Sequence, residues 1–194
     1  RANIEKYSSK AEVVLAESAL LVDQPEQIRG KQVLVVEDGP TLTHGNMTYG
    51  AGVVAAMRLG AEELVDPRPW ATGRLAETFA IYPEIGTLLP AMGYGDEQKA
   101  DLEKTINAVE CDAVIIGTPI DLRRIIDIKH PSTRVTYDLY EIGRPDLDDI
   151  LAGNEVPVPD EIDLQYAVAA ALVGRAIRAK ESGDGFLDRF RILG

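Results

Sequence analysis

Apolar spacing divides residues 1–150 into alternating strand and helix patterns. The hydrophobic stretches 32–36 and 113–117 read as buried strands, and 113–117 (Ala-Val-Ile-Ile-Gly) is the clearest in the chain. Residues 12–16 and 63–66 read as shorter strands, the second ended by Pro67, and 134–140 alternates as a strand should. Helical spacing predicts the end of a helix at 2–10 and helices over 47–59 and 74–82, stopped by Gly60 and before Pro83. A further helix is predicted over 97–109 with Asp96 as its cap, and another starts at Thr118-Pro119 with Leu122, Ile125 and Ile126 facing inward. Residues 25–30 form a surface turn, and 87–95 is an apolar run followed by glycines.

Strands separated by helices predict an α/β fold: a Rossmann-like, mostly parallel sheet with helices on both faces. Beyond it, 143–159 is a connector rich in Pro, Asp and Gly. Residues 163–180 carry a helical apolar face (Leu164, Val168, Leu172, Val173), followed by a glycine break at 183–185 and a short amphipathic tail at 186–190. The expected division is therefore an anion-binding domain over 1–150 and a linker with a C-terminal helical appendage over 151–194.

Composition narrows the function. Of 194 residues, 45% are apolar, enough to fill a core. A formal charge of −12 argues against nucleic acid and against an anionic membrane surface. One cysteine, Cys111, rules out a disulfide within the chain, and its place before a strand suits a packed thiol. With no signal peptide or span-length apolar run visible, the expected location is the cytoplasm.

Open parallel sheets bind ligands where the carboxyl ends of their strands meet. Three such ends are chemically unusual: 37–52, 90–95 and 117–124. In the first, Thr41, Thr43, Gly45 and Gly50 could cradle a phosphate through hydroxyl and backbone donors, helped by a helix starting near Asn46. His44 could donate to a phosphate oxygen or move a proton. Glu37 and Asp38, ending a central strand, could hold magnesium. In the third, Asp121, Arg123 and Arg124 follow a strand, and one arginine could make bidentate phosphate contacts. Arg68, stiffened between Pro67 and Pro69, and Lys129 are further candidate cations.

The string 36–45 (Val-Glu-Asp-Gly-Pro-Thr-Leu-Thr-His-Gly) with Gly50-Ala51-Gly52 resembles the predicted-GTPase family that includes cyclic 2,3-diphosphoglycerate synthetase. The segments 65–69 (Val-Asp-Pro-Arg-Pro), 89–95 (Leu-Pro-Ala-Met-Gly-Tyr-Gly) and 116–124 (Ile-Gly-Thr-Pro-Ile-Asp-Leu-Arg-Arg) carry the same resemblance, which runs from about Ala11 to Ile150. No Gly-x-x-x-x-Gly-Lys-Ser/Thr is present, so the chain resembles only the carboxyl-terminal part of that family. Residues after Gly153 depart from the family pattern.

The resemblance implies ATP-driven closure of a phosphoanhydride on 2,3-diphosphoglycerate, with Mg2+, and with ATP or GTP bound by a P-loop portion outside this chain. It makes a phosphorylated small molecule the partner and His44, Arg123 and Asp121 the catalytic candidates. Thr41, Thr43, Gly45, Gly50, Arg68, Arg124 and Lys129 become the phosphate-binding set. The alternatives are a non-catalytic module that senses a phosphometabolite, or an assembly module whose alanine-rich helix at 164–179 pairs with its own copy in a homo-oligomer.

Overall fold

The computed structural model describes residues 2–8, 11–45, 47–153 and 191–193. The helix expected at 163–180 and the tail at 186–190 lie outside them. The elements, in order, are α1 (Ala2–Tyr7), β1 (Ala16–Val22), β2 (Gln32–Asp38), α2 (Gly39–Gly45), α3 (Ala51–Leu59), β3 (Glu63–Leu64) and α4 (Arg74–Ile81). After these come β4 (Leu89–Ala91), α5 (Asp96–Ala108), β5 (Ala113–Gly117), β6 (Ser132–Glu141), α6 (Leu147–Gly153) and β7 (Arg191–Leu193).

The strands form a mostly parallel sheet in the order β3-β2-β5-β6-β1-β7, with β4 also on β2. Among the described residues, contacts divide the chain into two compact units, one over Leu20–Tyr137 and one made of residues before Leu20 together with those from Asp138 to Gly153. In the first, β2 is central. It pairs in parallel with β5 along one side, from Val33↔Ala113 to Glu37↔Gly117. Its other side is shared: β3 takes Gln32 and Val33, and β4 takes Val36, Glu37 and Asp38. Strand β6 extends the sheet beyond β5, with Ile116 opposite Arg134. In the second unit, the Ile142 N–H donates to the Leu15 carbonyl at 2.7 Å, and α6 follows, its first turn carrying Asp148 and Asp149.

The reason β2 and β5 occupy the middle is their composition. Val33 to Val36 and Ala113 to Ile116 are fully buried, so these strands need cover on both faces and partners on both edges. Phe79 and Leu75 bury the inner face of α4, as helical spacing predicts. The acids Asp96 and Glu97 in the first turn of α5 suit the positive end of its dipole.

Several boundaries differ from the sequence reading. The first strand is Ala16–Val22, not 12–16, because Ala19 and Leu20 are the positions that reach the core. Residues 39–45 form a short helix rather than a loop. Asp38 caps it, taking the Thr41 N–H at 3.3 Å and the Thr41 hydroxyl at 2.6 Å, and Pro40 fits a first turn. The helix expected over 47–59 begins later, at Ala51, and closes on Gly60, whose φ of 75° is the left-handed stop. No α-helix starts at Pro119. The Thr118 hydroxyl donates to the Ile120 carbonyl at 2.6 Å, leaving one 3-10 turn over Leu122–Arg124, capped by Asp121. Gly95, not Asp96, stands at the cap of α5, with its N–H donated to Gln98 Oε1 at 3.0 Å.

Glycines close the centre of the unit. A Cβ on Gly50 would stand 2.5 Å from Glu37 Oε2, and one on Gly52 would stand 2.8 Å from Val35 Cγ1 and 3.1 Å from Glu37 Oε1. Gly117 meets the same carboxyl from β5. Gly50→Ala is therefore expected to lower stability by about 1–3 kcal/mol through overpacking. Urea unfolding measures it, and an unchanged midpoint would show that the enclosure has slack.

Candidate functional site

The register brings the carboxyl ends of β2, β4 and β5 together, since Glu37 lies opposite both Pro90 and Gly117. A cleft of about 230 Å³ opens there. Glu37, Asp38, Thr41 and Leu42 form one wall, and Gly50 and Ala51 bring in the start of α3. Gly117, Thr118 and Pro119 come from β5 and the turn after it, and residues Arg134 to Tyr137 from β6. The connection after β2 leads to β3 on one side while β5 lies on the other. The cleft thus sits where the winding of the sheet changes direction, the place such folds bind ligands.

Glu37 is 3% exposed. Its Oε1 accepts the Val53 N–H at 3.0 Å, and the N–H groups of Gly52 and Gly50 also point to the carboxyl. The anion cradle expected around Gly50 therefore holds the protein's own carboxyl group. Burial pushes Glu37 up to about 8; the three N–H groups pull it down, and the nearby Asp38 charge pushes it further up. Asp38 is half-buried, and its Oδ2 takes both bonds from Thr41. Burial and then the Asp38 charge also raise the Tyr94 phenol, which the Thr118 hydroxyl opposes. Among the described residues, no three of His, Cys, Asp and Glu gather as a metal site would require. Glu37 and Asp38 are engaged as caps of α3 and α2, an arrangement that does not fit a magnesium site built from this pair alone.

The other candidates divide between the cleft and its surroundings. The Thr43 hydroxyl donates back to the Gly39 carbonyl at 3.2 Å, and His44 and Gly45 end α2. Asp121 and Arg123 stand just past Pro119. Arg123 makes a forked pair, Nε to Asp121 Oδ1 at 2.9 Å and Nη2 to Asp121 Oδ2 at 2.8 Å, and reaches Asp23 at 3.0 Å. That fork holds the Asp121 carboxyl below the usual range and the Arg123 guanidinium above its own. Arg124 is exposed, with its N–H donated to the Asp121 carbonyl at 3.1 Å. Arg68 is anchored elsewhere. Nη1 donates to Asp66 at 3.0 Å, Nη2 to the Ile85 carbonyl, and the guanidinium lies 4.8 Å from the Phe79 ring centre. Lys129 precedes the amino end of β6, whereas the cleft lies at the carboxyl ends. Cys111 is half-buried, and burial pushes its thiol up, away from the reactive range.

The sequence reading missed Arg134, Thr118 and Thr136. Arg134 lay inside the alternating strand pattern. Only its register opposite Ile116 of the core strand β5 brings it to the cleft, on the strand face opposite the buried Thr133 and Val135.

No family model matches the chain, and no solved structure matches it. Comparison with curated proteins gives one informative relative, the arginine synthetase ArcE of Thermococcus kodakarensis, 55% identical over 151 residues. The match takes in 78% of this chain and 34% of the relative. That links the chain to a synthetase. It spans about a third of the length of the curated relative it matches. No helix among the described residues is long and apolar enough to cross a membrane.

The enclosed acid sets a pH dependence. In the folded chain Glu37 keeps its proton to about 8, whereas the unfolded chain releases it near the ordinary 4.5. Its contribution to stability is full below 4.5 and is lost as pH rises through 8. Wild type is thus expected to lose stability relative to Glu37→Gln between those values. Urea midpoints of the two proteins at pH 5, 6.5 and 8 test this, and parallel curves would refute it.

Proposed function

We propose that this chain is the small-molecule-binding part of an arginine-forming synthetase, with ATP or GTP and Mg2+ handled by a portion of the protein outside it. The observation that carries this reading is the 55% identity to an arginine synthetase. The cleft supports it in two ways. At about 230 Å³ it is smaller than the roughly 300–1,000 Å³ typical for drug-sized ligands, so it suits a metabolite of amino-acid size better than a nucleotide. Among the described residues lining it, Arg134 is the one lysine or arginine, alongside the acids Glu37 and Asp38. A zwitterion or a cation matches that balance, whereas a multiply phosphorylated anion asks for several cations.

The motifs at 36–45, 65–69, 89–95 and 116–124 support a second reading, ATP-driven phosphoanhydride closure on 2,3-diphosphoglycerate. In that case His44, Arg123 and Asp121 act in catalysis. Arg123 would first have to leave Asp121 and Asp23.

One assay on the natural full-length protein separates the two. Run in reverse with L-arginine, Mg2+ and either ADP with phosphate or AMP with pyrophosphate, an arginine synthetase forms ATP in proportion to arginine; the guanine nucleotides are tested in parallel. Nucleoside triphosphate formation that depends on arginine is the expected result. Its absence, together with 2,3-diphosphoglycerate-dependent ATP or GTP hydrolysis and a cyclic product, overturns the first reading and favours the second.

A further inference from the structure

The cleft has two poles, and the positive one is incompletely bonded. Arg134 projects from β6 beside β5, and its Nη2 donates to the Pro119 carbonyl at 2.8 Å. Its Nε is buried and has no partner within the described structure. A buried N–H left unpaired is costly, and a turn of the side chain would bring that Nε edge out to the two oxygens of a carboxylate in the cleft. The negative pole is Asp38. Its two hydrogen bonds, both from Thr41, fall on Oδ2. Glu37, the neighbouring acid, is turned into the N–H groups of α3 and is not available to a ligand.

We propose that this cleft binds a free α-amino acid with a cationic side chain, its α-carboxylate on Arg134 and its cationic end on Asp38. The inference rests on the functional reading above but goes further, because it names the residues that recognise the substrate and the group each one takes. It makes Arg134 a specificity-determining residue that touches the ligand. Thr41 is then a positioning residue, since its hydroxyl and N–H hold the Asp38 carboxylate in place. Cleft size agrees: about 230 Å³ admits one such molecule without a nucleotide beside it.

Calorimetric titration of the natural full-length protein tests this with two probes, L-arginine and agmatine, which is the same molecule without the α-carboxylate. Wild type is expected to bind L-arginine roughly 10- to 100-fold more tightly than agmatine. Arg134→Gln should weaken L-arginine by that factor and leave agmatine unchanged, Arg134→Lys should recover part of the loss, and Asp38→Asn should weaken both probes. A general loss of structure would move both probes in every variant and lower the melting temperature, so selective loss is the diagnostic result. Equal affinity for L-arginine in wild type and Arg134→Gln, or equal loss for both probes in Arg134→Gln, overturns the proposal. If wild type forms arginine while Arg134→Gln keeps its KM for L-arginine, the inference fails and the functional reading stands. If wild type forms no arginine yet binds L-lysine through Arg134, the reading fails and the inference stands.

Discussion

A single buried carboxyl organises the centre of this protein. Glu37 lies next to the end of the central strand β2 and turns its side chain into the start of α3, where the N–H groups of Gly50, Gly52 and Val53 meet it. That contact fixes where the helix begins and how closely it lies on β2 and β5. The same residue stands opposite Pro90 and Gly117 in the strand register, so one side chain sits where three strand ends and a helix start come together. The crevice beside it takes its shape from that junction.

The arrangement separates charge that holds the fold from charge that faces the cleft. Arg68, Arg123 and Thr43 have protein partners: Arg68 binds Asp66 and two carbonyls, Arg123 two carboxylates, and Thr43 the backbone of its own helix. Each was a reasonable anion ligand by residue type. Their partners show that side chains rich in hydrogen-bonding capacity, placed near strand ends, also serve to tie loops down. Asp38 and Arg134, of opposite sign, both line the cleft.

Where a pattern was local, the sequence disclosed it. Residues 113–117 are uniformly apolar and end in glycine, and the strand has those bounds. The apolar stripe of 74–82 and the alternation of 134–140 likewise match α4 and β6 to within a few residues. The meeting of the three strand ends also followed from topology alone. The segment 39–50 was harder, because a glycine- and threonine-rich stretch suits either a loop or a capped short helix. The choice was made by Asp38 bonding to Thr41. Longer-range pairings could not be read from spacing: Asp23 reaches Arg123 across 100 positions, and Arg134 becomes a cleft residue only once β6 lies beside β5.

The enclosure around Glu37 also bears on how such a chain can vary over evolutionary time. Gly50, Gly52 and Gly117 come from two separate segments, yet a methyl on any of them would intrude on the same acid. Glu37, Gly50 and Gly117 are thereby bound into one hereditary unit. Replacing the acid with something smaller would free Gly50 and relieve the closest approach at Gly117, while Gly52 would still be held by Val35. Descendants that keep the acid should therefore keep Gly50 and Gly117 with it, whereas Gly52 answers to the neighbouring valine as well.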